Sequence, residues 1–307
     1  MDIYNSLFLV IHFLMFAVCV VVFSIKKNFL SVKLEFELII FFCFLFLLLF
    51  CFRSPELGDT KNYIETYNSF TGITSLFDLK DIGFYVLIYI CKLLKLNSFF
   101  YIVLIASLFM LFTALTFLRM PSKNKFLLFL LYTSFFFFEN MGENIIRQGL
   151  SISIFMYAVA DLKLKKQYRI ILFFLSISLH LSSIILILLF SISSKIKNLT
   201  LPLFILAISM CLSFTNQNIF DYIDKIPIVN NYIFAQRIKH LMDLSSLYST
   251  GLRLDFIIFN LVFLILAFLS NKKSNSINIP FSKRMLVVYI LSSSIFFLCF
   301  HLPFSDR

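Results

Sequence analysis

No stretch of this 307-residue chain is polar for long enough to fold by itself in water, which excludes a soluble domain from the outset. Charged residues make up only 14% and tryptophan is absent, while 60% of the chain is hydrophobic and the mean hydropathy is +0.94. That balance defines an all-α, polytopic helical membrane protein, because in lipid every backbone polar group must be satisfied within the segment. Paired cysteine spacing is also missing. Cys19, Cys43, Cys51, Cys91, Cys211 and Cys299 lie singly in apolar runs, so neither a zinc site nor a disulfide framework is indicated. There is no Gly-rich phosphate loop, HExxH, GxSxG or DxD-type motif, and soluble nucleotide-sugar chemistry is unsupported. The N-terminus, MDIYNSLF, has no basic region ahead of its apolar run and reads as a retained first span. Nor is there an internal repeat or an inverted pair of broken helices of the transporter kind.

What is present is positive charge, with a formal net of +11. The lysines cluster between apolar runs, so the excess is read as orientation by the positive-inside rule and no nucleic-acid partner is expected. Tyr4–Ser24 is the first span, and Lys26, Lys27 and Lys33 place the following loop in the cytoplasm. Leu34–Phe52 returns outward to an external loop over about residues 53–83, which carries more acid than base. Phe84–Leu96 is too short to span and is expected in the outer interface. Phe99–Leu118 crosses inward to Arg119, Lys123 and Lys125, Phe126–Phe138 goes out, and Glu139–Asn144 makes an external turn. Ile145–Ala160 then returns to a basic cluster of Lys163, Lys165, Lys166 and Arg169.

The next stretch is decided by parity. A single span from Ile170 to Ile192 would put two later basic clusters outside. Two short helices, Ile170–Leu179 and Leu181–Ser194, put every cluster in the cytoplasm and predict a break near His180. Ten helical residues cover only about 15 Å, so the tip would sit below the outer surface, lining a cavity. Leu199–Phe214 goes out to a second external loop over about 215–253, with a helix expected from about Asn231 to Leu244. Leu254–Ser270 crosses in, Asn271–Arg284 is cytoplasmic, and Met285–Leu302 crosses out. The whole makes about ten membrane segments, some short or broken, in one integral membrane domain over 1–307.

Under this topology five of the eight arginines (Arg53, Arg147, Arg237, Arg253 and Arg307) collect at or near the outer boundary, where the rule disfavours them. A guanidinium binds phosphate bidentately and keeps its proton on burial. With Asp59, Asp81, Glu143, His180 and the loop tyrosines, the outer side holds cations for a diphosphate, carboxylates for sugar hydroxyls and a candidate base. Structural readings stand beside these. Arg147 could snorkel or pair with Glu143 four residues before it, and His180 could be a satisfied helix breaker. Arg53 and Arg253 could be boundary residues, Asp59 could cap a loop helix, and the run Phe135–Phe138 reads as lipid-facing or packing material.

Four segments carry a resemblance: FRSPELGDTKNY around Arg53–Tyr63, DIGFYVL at Asp81–Leu87, NIIRQGLSISIF at Asn144–Phe155 and LSISLHLSSIIL at Leu175–Leu186. Together they resemble the EpsG-like family of bacterial polysaccharide polymerases, grouped with the Wzy-type O-antigen polymerases. Family members usually carry Glu-x-Gly-Tyr where this chain has Asp81-Ile82-Gly83-Phe84, and usually continue into a last helix after a segment like Ser305-Asp306-Arg307. The resemblance implies a lipid-linked-donor, inverting, metal-independent glycosyltransferase without a cofactor. Such an enzyme moves a growing glycan from undecaprenyl diphosphate to the next lipid-linked repeat unit at the outer face of the inner membrane. The expected partners are undecaprenyl-diphosphate-linked oligosaccharide and membrane lipid, with a chain-length regulator protein as a further candidate. Arg147, with Arg237 and Arg307, would hold the leaving diphosphate, and His180 would be the base, with Glu143 or Asp59 as the alternate. Arg53, Asp59, Asp81 and Arg253 would help bind substrate. A flippase for lipid-linked sugars and an O-antigen ligase-like transferase are the rival readings.

Overall fold

The computed structural model describes residues 3–25, 31–56, 59–72, 81–122, 124–214, 254–273 and 279–299. Among them every regular element is a helix. Arg237, Arg253, Arg307 and the helix expected over Asn231–Leu244 lie outside the described residues. Among the described residues, three helices are long and apolar enough to cross a membrane: Val32–Cys51, Ser98–Arg119 and Phe281–Leu298, with mean hydropathies of 2.6, 2.4 and 1.5. Large apolar side chains such as Phe13, Phe44, Phe174 and Phe204 face outward, as lipid contact requires and water would penalise. The chain forms two compact units, Met1–Ile184 and Ile185–Arg307.

In the first unit, α1 (Ile3–Ile25), α2 (Val32–Cys51) and α5 (Ser98–Arg119) follow the expected spans closely. The central helix α5 packs against α2 on one side and α8 (Ile146–Ala160) on another, and α8 packs on α9 (Lys166–Leu179). Phenylalanine fills the interior: Phe42, Phe46, Phe50, Phe109, Phe126, Phe129 and Phe138 are all essentially inaccessible. Phe138 sits at the middle of this cluster, with its ring centroid 5.1 Å from Phe46, 5.6 Å from Phe50 and 5.7 Å from Phe109. The tilted and edge-on arrangements suit the ring quadrupoles. The last ring of the Phe135–Phe138 run is therefore packing material.

Several boundaries differ from expectation; the last span, expected from Met285, begins at Ile279. The outward segment drawn from Phe126 to Phe138 is broken into α6 (Lys125–Thr133) and α7 (Phe136–Glu143), and the turn expected at Glu139–Asn144 is largely helix. The hydroxyls of Thr133 and Ser134 both donate to the Leu130 carbonyl, at 3.1 and 2.7 Å, offering the backbone an alternative to continued helix. The break frees the Thr133 carbonyl, and His12 Nε2 on α1 stands 2.8 Å from it. At the start of α6, the buried Glu35 of α2 accepts the Phe126 N–H, capping that helix from a neighbouring one. A further difference is α9, which begins at Lys166 and not at Ile170. Its Arg169 donates to the carbonyls of Ala158 (2.9 Å) and Asp161 (3.0 Å), so one member of the basic cluster satisfies the C-terminal end of α8.

Between α2 and α5 lie α3 (Thr60–Ser69) and α4 (Ile82–Leu93). Gly83 lets α4 approach α9 closely: a Cβ there would stand 3.0 Å from the Ser178 carbonyl carbon, with the Ser178 hydroxyl closer still. Gly149 serves α7 and α8 in the same way, since a Cβ would fall 2.8 Å from Met141 Cβ.

The second unit contains α10 (Ser183–Ser193) from Ile185 on, α11 (Thr200–Phe214), α12 (Leu254–Lys273) and α13 (Ile279–Leu298), with α13 packed on α11 and α12. Leu206, Ile257, Leu286, Ile290 and Phe297 form its core. Asn260 on α12 accepts from Ser293 (2.8 Å) and Tyr289 (3.1 Å) on α13, an interhelical polar tie of the kind that holds helices together in lipid.

Candidate active site

The helix break expected at His180 is present. Residue Leu179 ends α9, His180 takes an extended conformation (φ −157°, ψ 117°), and α10 starts at Ser183. Its backbone groups are met locally: His180 N–H donates to Ser176 O at 3.1 Å, and His180 O accepts from Ser183 N–H at 3.1 Å. Three buried hydroxyls lock the break from behind. Ser176 Oγ donates to Ser151 O at 2.9 Å, while Ser151 Oγ contacts Ser176 Oγ at 3.0 Å and also bonds Ser183 Oγ. An interrupted helix at membrane depth is stable only where its freed groups are satisfied in this manner.

The break delivers His180 to Asp81, the residue just before α4. The Asp81 carboxylate is shared between a guanidinium, an imidazole and a backbone donor. Its Oδ2 accepts from Arg147 Nη1 at 2.9 Å and stands 3.5 Å from His180 Nδ1, an ion-pair separation without hydrogen-bond geometry. Its Oδ1 accepts the Leu181 N–H at 3.3 Å. Burial on its own would raise this carboxyl, but His180, Arg147 and the Leu181 N–H together hold it below the usual carboxylate range. Three residues from segments far apart in the chain thus form one charged cluster, Arg147–Asp81–His180.

Arg147 is in the first turn of α8 and is 37% exposed through its side chain, against 9% for Asp81. Its guanidinium lies 5.8 Å from the Tyr63 ring centroid and 5.4 Å from that of Phe84. Beside it opens a cleft of about 140 Å³ lined by Asp59, Asn62, Tyr63, Thr66, Phe84, Tyr85 and Arg147. Tyr63 is tied down by a 2.8 Å bond from its hydroxyl to the Asn144 carbonyl. Burial pushes its phenol above the ordinary value, with Arg147 opposing the shift.

The sequence-expected residues divide into groups. Arg147, Asp81 and His180 meet directly, and Asp59 shares the cleft with Arg147. Arg53 and Glu143 are both buried, and Arg53 donates to the carbonyl of Gly142 at the end of α7, where a cation also complements the helix dipole. Sequence reasoning did not single out Asn62, Thr66 or Tyr85, and included Tyr63 only among the loop tyrosines. A signal for α3 was present in the spacing of residues 59, 62, 63 and 66, which share one helical face. Nothing local in the sequence marked Ser151, whose partners lie 25 and 32 residues away.

Fold and site together define a polytopic helical membrane protein with an Arg–Asp–His cluster beside a polar cleft at one end of its first unit. The family model of the EpsG family matches residues 36–307, which include the whole cluster and the cleft. The chain belongs to the EpsG family. Comparison with curated proteins and with solved structures gives no match. Family membership supports a glycosyltransferase-like, polysaccharide-polymerase role for this membrane protein.

Proposed function

We propose that the chain polymerises lipid-linked oligosaccharide repeat units, moving the growing glycan from undecaprenyl diphosphate onto the next lipid-linked unit at the outer face of the inner membrane. The observation that carries this reading is the Arg147–Asp81–His180 cluster opening on a polar cleft. In the transfer, the acceptor hydroxyl oxygen attacks the anomeric carbon of the donor while the bond from that carbon to the diphosphate oxygen breaks with its electron pair. The configuration inverts in this single displacement. The hydroxyl proton passes to His180: with Nδ1 turned toward Asp81, Nε2 is the nitrogen that takes it. The diphosphate leaves against Arg147, whose charge stabilises the charge developing there.

Asp81 then acts as the positioning residue. Its oxygens are engaged by Arg147, His180 and Leu181, which favours an orienting role over the hydroxyl-binding one suggested by sequence. Arg53 and Glu143 are buried, and Arg53 holds the Gly142 carbonyl at the end of α7. The distribution of charge supports the outer face as the working side. Lys33 opens α2 while Arg53 follows its other end, and the basic segment Lys163–Lys166 joins the ends of α8 and α9 that lie away from Arg147 and His180.

The test is a deletion strain complemented with wild type, Arg147→Ala or His180→Ala and read by glycan banding and membrane protein level. Long chains should return with wild type only, and lipid-linked single repeats should accumulate outside in both variants. Near-normal polymer in both variants removes the site assignment, and repeats trapped in the cytoplasmic leaflet point to a flippase instead.

A further inference from the structure

The polar face of α3 has no part in the proton transfer or in holding the diphosphate, yet it is rigidly presented. Tyr63 and Tyr67 anchor the helix: both are buried, and Tyr67 stacks on Tyr101 with ring centroids 5.2 Å apart. From α4, Lys92 donates to the carbonyls of Asn68 (3.2 Å) and Phe70, clamping the C-terminal end of α3. Beside Tyr63, α3 turns Asp59, Asn62 and Thr66 into the cleft. Asn62 reaches Asp59 Oδ1 at 3.5 Å, and Thr66 Oγ1 donates to the Asn62 carbonyl at 2.7 Å. Across from them stand Phe84 and Tyr85 of α4, the latter stacked on Phe70 at 6.0 Å.

One wall is therefore a carboxylate, a carboxamide and a hydroxyl, and the other presents the half-buried ring of Tyr85, backed by the buried Phe84. That pairing suits a sugar ring, whose hydroxyl edge needs directional donors and acceptors while its C–H face needs an apolar platform. A space of about 140 Å³ equals roughly five water molecules at about 30 Å³ each, the scale of one ring. Arg147 also lines the cleft, which places the anion-binding side chain beside whatever ring fills it.

Building on the glycosyl-transfer reading above, we infer that the cleft between α3 and α4 is a specificity subsite. It reads the sugar adjoining the diphosphate, with Asn62 and Thr66 as the discriminating side chains. A site that hydrogen-bonds particular hydroxyls rejects analogues that leave its polar groups unpaired.

The experiment uses the full chain in lipid nanodiscs with two polyprenyl-diphosphate-linked oligosaccharides that differ only at one hydroxyl of the first sugar. Wild type should favour one donor, and Asn62→Ala or Thr66→Val should compress the ratio of the two kcat/KM values by about tenfold, the worth of one well-made hydrogen bond. Arg147→Lys should slow both donors equally and leave the ratio unchanged. Because the readout is a ratio within one preparation, partial loss of folded protein does not mimic the effect. A polymerising wild type whose Asn62 and Thr66 variants keep the wild-type ratio overturns the subsite while leaving glycosyl transfer standing. A wild type that makes no polymer from either donor overturns the transfer reading and the subsite with it.

Discussion

Arg147 Nη1 lies 2.9 Å from Asp81 Oδ2, although 66 residues separate the two in the chain. The contact gives the guanidinium one fixed edge while its side chain stays about one-third exposed, a geometry suited to a cation that must meet an outside anion in a set orientation.

If the fork geometry matters and not charge alone, Arg147→Lys should fall between wild type and Arg147→Ala. Initial polymerisation rates in nanodiscs should drop by about a hundredfold or more for alanine, in line with the loss of one preorganised donor to a developing anion. Lysine should recover part of that rate because it restores the charge without the planar pair of donors.

Asp81→Asn should lower kcat more than it raises KM, since a positioning group acts on the oriented state and not on substrate affinity. Asp81→Glu should rescue part of the loss by restoring the charge. Equal damage in the asparagine and glutamate variants would argue for packing at Asp81 in place of charge.

The direction of the Asp81 shift sets a pH window. A carboxyl held below its ordinary value contributes stability that is complete above about pH 3.9 and is lost as the pH falls through the lower folded value. The thermal midpoint of the wild type should therefore keep this contribution from pH 7 to pH 5 and shed it below about pH 4. Asp81→Asn should start lower and show a weaker acid dependence in the same scan.

Gly83→Ala should destabilise the first unit by about 1–3 kcal/mol, because the added methyl meets Ser178 on α9. Adding Ser178→Ala removes the hydroxyl but leaves the backbone contact, so the double variant should recover only in part. Denaturation midpoints of the four proteins in a double-mutant cycle would measure the coupling.

Ser151→Ala should cost about 1–3 kcal/mol by leaving the buried Ser176 and Ser183 hydroxyls short of a partner. The loss should reach the active site through the break at His180, so proteolysis at Leu181–Ser183 should quicken and polymerisation should slow together. A stability loss with unchanged polymerisation would show that the hydroxyl cluster does not position the histidine.

How far the chain could be read without coordinates is visible at particular residues. Hydropathy placed α1, α2, α5 and α8 within a few residues of where they fold, because apolar length is a local property. Charge parity located the break at His180, since each basic cluster adds its own preference for the cytoplasmic side. The break at Ser134 was missed because Tyr132, Thr133 and Ser134 interrupt the apolar run only briefly. Its cause, two hydroxyls competing for the Leu130 carbonyl, is a hydrogen-bonding effect that hydropathy registers only as a shallow dip.

By itself, then, the sequence determined the helical membrane class, the spans, the interrupted segment and the residues dense in chemistry. Tertiary structure alone decided that Asp81 bridges Arg147 and His180, that His12 meets the freed carbonyl of Thr133, and that α3 faces α4 across a cleft. Span and sidedness are sums over neighbouring residues, whereas a contact such as Leu181 to Asp81, 100 residues apart, exists only once Gly83 has let two helices close on each other.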